Sequence, residues 1–405
     1  MNFNLSTPEI ISLVLWAVAL IAAVRWGQSC RKRHRDFIGN RKYFYIISSA
    51  MLLLALGGLL VKGLKFGLDF TGGTIIEVGS PQKVSATTGE LASWLNQKFP
   101  DIQDVQIQIG QTMEVAPDGK SYQKILVRAK GQDERVELSP EECTALTQAL
   151  QEHLNVSELV PLSTTSIGPT VTGELKRGAI LALVVALVLQ LLYITLRFGN
   201  QVRYGVAADL SLVHDAIIMT GLYALAGLQI DSAWVAALMT VVGYSVMDSV
   251  VIFDRIREHI KSHKGDFSQL VNESLNQTMT RSINTTLTTV VVCVSLYFFG
   301  GVTLKSFAFA LLVGIISGAY SSVFLAGPLL VDIDAWSRRR DAARAQEQRA
   351  AAEERARERG ASSKASQPPG EHEYPTPGEL PEASETTSKG ASRPRRRVKG
   401  TRRRS

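Results

Sequence analysis

The chain has 405 residues, 45% of them hydrophobic, and a formal charge of +7. Its apolar residues gather in blocks of about 17–25, the length that crosses about 30 Å of hydrocarbon. That excludes a soluble globular protein and makes this an integral membrane protein. There is no Walker A pattern, no HExxH and no CxxC, so a nucleotide hydrolase or zinc enzyme has no support, and no cofactor is expected.

The apolar blocks are 10–24, 43–64, 178–196, 205–227, 233–253, 284–302 and 306–330, which predicts six full spans and a short first one. The first, "IISLVLWAVALIAAV", is followed rather than preceded by a basic run, "RWGQSCRKRHRDFIGNRK". A secretory signal peptide has the opposite polarity, so an uncleaved anchor with its N-terminus outside is expected. Residues 1–42 then form this extra span and a basic cytoplasmic loop. The chain leaves through 43–64, and residues 65–177 lie outside. A five-span bundle occupies 178–335. Lys and Arg in short loops favour the cytoplasm. The loops "RFGNQVRYG" and "DRIREHIKSHKGDFSQ" fall inside on this count, as does the Arg-rich tail, while "GLQIDS" outside carries neither residue.

Within the outer segment, "TGGTIIEVGS" reads as a strand, "TTGELASWLNQKF" as a helix and "DIQDVQIQIG" as a period-two strand. "YQKILVRAK" is a further strand, and "SPEECTALTQALQEHL" a helix opened by Ser139 as N-cap. "SELVPLSTTSIG" is the last strand. This β-α-β-β-α-β order predicts a ferredoxin-like α+β domain, with Ile75, Val105 and Leu126 facing its core. It holds no catalytic constellation, so a binding or levering module is expected. Cys143 is the one cysteine on the outer side; Cys30 and Cys293 are elsewhere, and no disulfide is expected. Residues 336–405 read as a charged cytoplasmic tail, disordered by composition and ending in "RPRRRVKGTRRRS". That basic end suits anionic lipid or ribosomal RNA, or a solubilising role.

The chemistry-bearing residues lie inside the spans. In "GYSVMDSVVIFDRIRE" (243–258), Asp248 sits amid apolar residues, where a carboxylate costs about 2.5–3.5 kcal/mol on insertion scales. Tyr244, Ser245 and Arg255 share its helical face. In "TMTRSINTTLTTVVVCV", Arg281, Asn284 or Thr285, and Thr288 share another, with Arg281 expected at the cytoplasmic entry. Asp209, His214 and Asp215 add ionisable groups to "AADLSLVHDAIIM". The grouping predicts that these stripes face protein or a water-filled crevice. Ala310, Gly314, Gly318, Ser322 and Ala326 repeat every four residues, which reads as a close-packing surface with no chemical part. His259 and His263, spaced i,i+4 among basic residues, read as a solvated face rather than a metal site.

Four stretches resemble the SecF family: "FGLDFTGGTIIEV", "GYSVMDSVVIFDRIRE", "TRSINTTLTT" and "VGIISGAYSSVFLAGPLL", in family order across roughly 41–335. The resemblance implies an α-helical membrane bundle with an extracytoplasmic domain, acting with SecD in the Sec export pathway. It also implies relatedness to resistance-nodulation-division transporters and no enzymatic activity. Partners implied are SecD, the channel subunits SecY, SecE and SecG, YajC, unfolded exported polypeptides and membrane lipid. The family's proton-conducting aspartate and arginine fall on Asp248 and Arg281. Tyr244, Ser245, Asn284, Thr285 and Asp215 are the supporting polar residues, and Asp69, Thr71, Gly72 and Gly73 form the family motif at the outer-domain entry. Met247 stands where the family usually has Asn, and Ser249 where Thr is common. A proton-coupled half-transporter and a passive scaffold with a structural Asp–Arg pair remain the alternatives.

Overall fold

The computed structural model describes residues 7–32, 34–84, 86–115, 121–131, 137–263 and 265–365. The chain divides into two compact units, 1–341 and 342–405. Helix α1 (Thr7–Lys32) is followed by α2 (Arg41–Lys62), strand β1 (Lys65–Phe66) and the single turn α3 (Leu68–Thr71). The outer-domain elements are β2 (Gly73–Ser80), α4 (Thr88–Lys98), β3 (Ile102–Val115), β4 (Ser121–Gly131), α5 (Pro140–Leu154) and β5 (Val160–Ile167). Then come α6 (Pro169–Arg197), α7 (Val202–Leu225), β6 (Gln229–Ile230), α8 (Ser232–Ser262) and α9 (Phe267–Phe299). Helix α10 (Gly301–Ser321), a π turn (Ser322–Ala326) and α11 (Gly327–Ala365) complete the described chain.

Six helices are long and apolar enough to cross a membrane: α2, α6, α7, α8, α9 and the α10–α11 rod. In α1 the apolar stretch is the shorter Val14–Ser29. Several helices outrun the apolar blocks that predicted them. Helix α8 continues to Ser262 and α9 begins at Phe267, so most of the expected loop between 254 and 269 is helical. Polar helix extends beyond a span because backbone hydrogen bonds need no apolar side chains to continue. The same holds at the C-terminal end, where α11 runs to Ala365, well past the boundary expected at 336. The disorder expected for 366–405 lies outside the described residues.

Close approaches between helices fall at small residues. A Cβ on Gly221 of α7 would lie 2.5 Å from the Ala55 carbonyl oxygen of α2. One on Gly314 of α10 would lie 2.9 Å from Val241 Cγ1 of α8. Helix α1 packs on α9, with Gly27 against Ile283 and Thr280 donating to the Gly27 carbonyl at 3.4 Å. The buried aromatic cluster of Phe37, Phe198, Tyr204 and Phe253 anchors one end of the bundle.

The outer segment forms a four-stranded sheet in the order β3-β4-β2-β5, all pairs antiparallel. Helices α4 and α5 supply Leu91, Leu95, Leu146 and Leu150 to the core with Ile76, Val78, Val105, Ile107, Ile125 and Val127 of the sheet. Ser139 caps α5 through the predicted N-cap, completed as a capping box by Glu142. Of the three expected core residues, Val105 is correct. Ile75 and Leu126 point the other way, because Ile76 pairs with Val127 and Val78 with Ile125 on the helix-covered face. Apolar residues on both sides of β2 and β4 made the parity of these strands ambiguous.

Candidate functional site: two carboxylates inside the bundle

Asp248 lies near the middle of α8 and is 7% exposed. Ser282 of α9 donates to its Oδ1 and Ser322 of the π turn to its Oδ2, each at 2.8 Å. These two hydroxyls answer part of the cost of placing a carboxylate there. Arg281 is exposed in the middle of α9, not at its entry, and makes no ion pair with Asp248. It remains close enough for its charge to act on the carboxylate.

Asp215 of α7 is a second buried carboxylate, 1% exposed. Its Oδ1 accepts from Ser317 at 2.7 Å and meets His214 Nδ1 at 3.2 Å. Its Oδ2 accepts from Ser245 of α8 at 2.9 Å and from Ser321 at 2.6 Å. Consecutive hydroxyls therefore serve different carboxylates: Ser321 binds Asp215 and Ser322 binds Asp248. The π turn begins at Ser322, and such turns add a residue to the helical winding and recur at functional sites.

The four-residue ladder thus has a chemical member. Gly314 and Gly318 do provide the expected close packing, the latter with a Cβ position 3.1 Å from Ser245 Cβ. Ser322 belongs to the Asp248 site, which corrects the purely structural reading of that ladder. Spacing alone could not show this, because the partner lies on another helix.

The predicted stripes divide. Ser245 is buried on Asp215, whereas the Tyr244 hydroxyl is buried with no partner. Arg255 leaves the Asp248 face for Gln277 at 2.7 Å and Glu258 at 2.5 Å. On α9, Arg281, Asn284 and Thr288 are exposed together, with Thr285 half-buried and donating to the Arg281 carbonyl at 3.0 Å. Ser282, beside that stripe, is the residue that turns inward. Asp209 Oδ1 is buried without a partner. His259 departs from the expected solvated face: it is 3% exposed on α8 and meets Ser274 of α9 at 3.1 Å. Among the described residues no group of three or more His, Cys, Asp or Glu can hold a metal.

The outer-domain entry is a clasp. Strand β1 pairs in parallel with β6, and the Gly67 amide donates to the Ile230 carbonyl at 2.7 Å. Asp69 Oδ2 accepts from the Ser232 amide at 2.7 Å, at the start of α8. Thr71 Oγ1 donates to the Gly67 carbonyl at 3.1 Å. Gly72 and Gly73 have φ of 78° and 135°, values that favour glycine. A Cβ on Gly73 would also lie 2.7 Å from the Ala129 carbonyl oxygen. The Gly-Gly pair turns the chain from the clasp into β2.

The matching family descriptions are "Protein export membrane protein SecD/SecF, C-terminal" over residues 147–336 and "SecD/SecF GG Motif" over 57–80. The chain is 33% identical over 308 residues to the protein translocase subunit SecF of Rhodothermus marinus, covering 74% of this chain and 93% of the relative. It is 38% identical to the SecF of Thermobaculum terrenum, again covering 93% of the relative. The chain belongs to the SecF family. It therefore serves protein export as an accessory subunit of the Sec pathway. The crystal structure of the translocon-associated SecDF from Thermus thermophilus is also similar, with a TM-score of 0.63 and 33% identity. That match covers 76% of this chain and 39% of the longer SecDF chain.

Proposed function

We infer that this SecF-family chain converts proton flow into work on exported polypeptides, with Asp248 as the proton-holding group and Arg281 as the charge that tunes it. The observation that carries this reading is the setting of Asp248. It is a buried carboxylate held only by rotatable hydroxyls, with the guanidinium near but not bound. A fixed structural pair would show the ion pair closed. A relay needs a carboxylate whose charge partner can approach and withdraw. One proton crossing 100 mV supplies about 2.3 kcal/mol, enough to bias a two-state bundle.

Several features fit the wider assignment. The element order and the strand order β3-β4-β2-β5 support a ferredoxin-like domain. The basic loops support its placement outside, with the C-terminus in the cytoplasm. The packing of α1 on α9 supports a seventh, retained span with its N-terminus outside. The clasp ties that domain to the head of α8, the helix that carries Asp248. A shift of α8 on protonation would reach the domain by that route and let it grip and release an emerging chain. The exposed polar stripe Arg281, Asn284 and Thr288 is costly against lipid, and SecD is the partner assigned to cover it. SecY, SecE, SecG and YajC follow as associates in the same pathway. The tail's contact with anionic lipid or ribosome belongs to residues outside the described ones.

The test is a double-mutant comparison of export in cells. Asp248→Asn and Arg281→Leu should each abolish proton-dependent export while SecD association is kept, and the double variant should stay assembled and inactive. A structural pair predicts single variants destabilised by about 3–5 kcal/mol from an uncompensated buried charge, with the double variant rescued. A stable, fully active double variant would overturn the relay.

A further inference from the structure

We propose that His214 and Asp215 form a second proton station, linking Asp248 to a cleft on the flank of the bundle through Ser322 and Ser321. The proposal rests on the proton-driven reading above and adds a route to it.

Three observations converge. First, Asp215 is more deeply buried than Asp248 and carries a fuller shell, with three serine hydroxyls and the His214 ring on its two oxygens. Such a shell from three different helical segments is a built site, and the relay through Asp248 and Arg281 does not use it. Secondly, His214 is 4% exposed, and its Nε2 is buried with no partner. The side chain lines a cleft of about 320 Å³ whose wall includes Tyr45, Ser48 and Ser49 of α2. A buried imidazole with one nitrogen on a carboxylate and the other unanswered beside a hydroxyl-lined cleft is placed to exchange a proton there. Thirdly, the two carboxylates are addressed by adjacent residues, Ser321 and Ser322, at the mouth of the π turn.

The proton balance is simple. A protonated Asp248 gives its proton to the Ser322 hydroxyl as that hydroxyl passes its own toward Ser321, and Ser321 delivers one to Asp215. Asp215 protonates His214 at Nδ1, and His214 releases a proton from Nε2 to water in the cleft. Each hydroxyl ends as it began, and no oxidant or co-reactant is required. Tyr45 lies near the start of α2, the end that the charge pattern assigns to the cytoplasm, so this limb is the release side.

Other titratable groups around the pair are accounted for. Asp248 comes from α8 and is held by Ser282 and Ser322. Tyr244 of α8 is buried without a partner, and Asp209 is on α7 itself. From α2, Tyr45 bonds Asp332 of α11, which also meets Arg41. Tyr320 of α10 donates to the Phe44 carbonyl, and Arg197 of α6 is paired with Asp254.

The experiment uses the full complex with SecD in proteoliposomes and reads proton flux under an imposed gradient at a series of pH values. Asp215→Asn should lower flux about tenfold or more, the scale of losing a proton-transfer group, with assembly intact. His214→Gln should lower flux and change its pH dependence, which a purely structural histidine would not do. Ser321→Ala keeps both carboxylates and decides the matter should Asp215→Asn fail to assemble: flux falls if the hydroxyl carries the hand-over. Wild-type flux and pH profile in His214→Gln and Ser321→Ala, with Asp248→Asn inactive, would overturn the second station and leave the Asp248 relay standing. Wild-type flux in Asp248→Asn would instead overturn the relay itself.

Discussion

Removing the Ser322 hydroxyl tests whether the π turn holds Asp248 in place. The hydroxyl donates to Asp248 Oδ2 at 2.8 Å in a buried site, with the Ala319 carbonyl as a poorer alternative at 3.3 Å. A hydrogen bond to a charged group contributes about 1.5–3 kcal/mol, and a neutral one about 0.5–1.5 kcal/mol. Ser322→Ala should therefore destabilise the protein by about 1–3 kcal/mol. In an Asp248→Ala background the acceptor is gone, and the same change should cost only a few tenths of a kcal/mol. The assay is unfolding by SDS titration in mixed micelles for the wild type, both single variants and the double variant. A coupling energy of about 1 kcal/mol or more is expected. Additivity within about 0.3–0.5 kcal/mol would refute the contact and, with it, the claim that the π turn is part of the site.

Gly73→Ala places a Cβ at φ 135° and 2.7 Å from the Ala129 carbonyl, so the clasp should lose about 1–3 kcal/mol, measured as a lower Tm of the purified protein. Residues 66–175 expressed alone should give a soluble mixed α/β fold by circular dichroism. In that fragment Ile125→Ala should cost about 2–5 kcal/mol in urea, and Ile75→Ala markedly less. Burial, with the Glu142 charge second, pushes the Cys143 thiol up. Its alkylation near neutral pH should therefore be slower than in the unfolded protein, and faster only as pH rises. Single cysteines at Gly89 and Gly265 should label from opposite sides of the membrane in cells; labelling of both from one side would overturn the topology.

Much of this architecture was legible in the sequence because the signals were local. Apolar block length marked the six long helices, period two and the Ser139 cap marked the outer domain, and Gly72–Gly73 marked a turn. Asp248 and Asp215 stood out as carboxylates among apolar residues. Their partners did not, since Ser282, Ser317, Ser321 and Ser322 are ordinary hydroxyls within helices until another helix brings an acceptor to them. The π turn also breaks the four-residue register by which Ser322 had been grouped with Gly314 and Gly318. His259 misled for a related reason: the helix outruns the apolar block, so a basic neighbourhood in sequence is partly interior in space. In the sheet, Ile75 and Leu126 show the limit of alternation where both faces carry apolar side chains.

The central claim is that Asp248 carries protons, and the most direct measurement is proton flux through the purified complex with SecD in liposomes under an imposed gradient. The account predicts flux in the wild type, its loss in Asp248→Asn and Arg281→Leu, and no recovery in the double variant although the complex remains assembled. Undiminished flux in Asp248→Asn would contradict it.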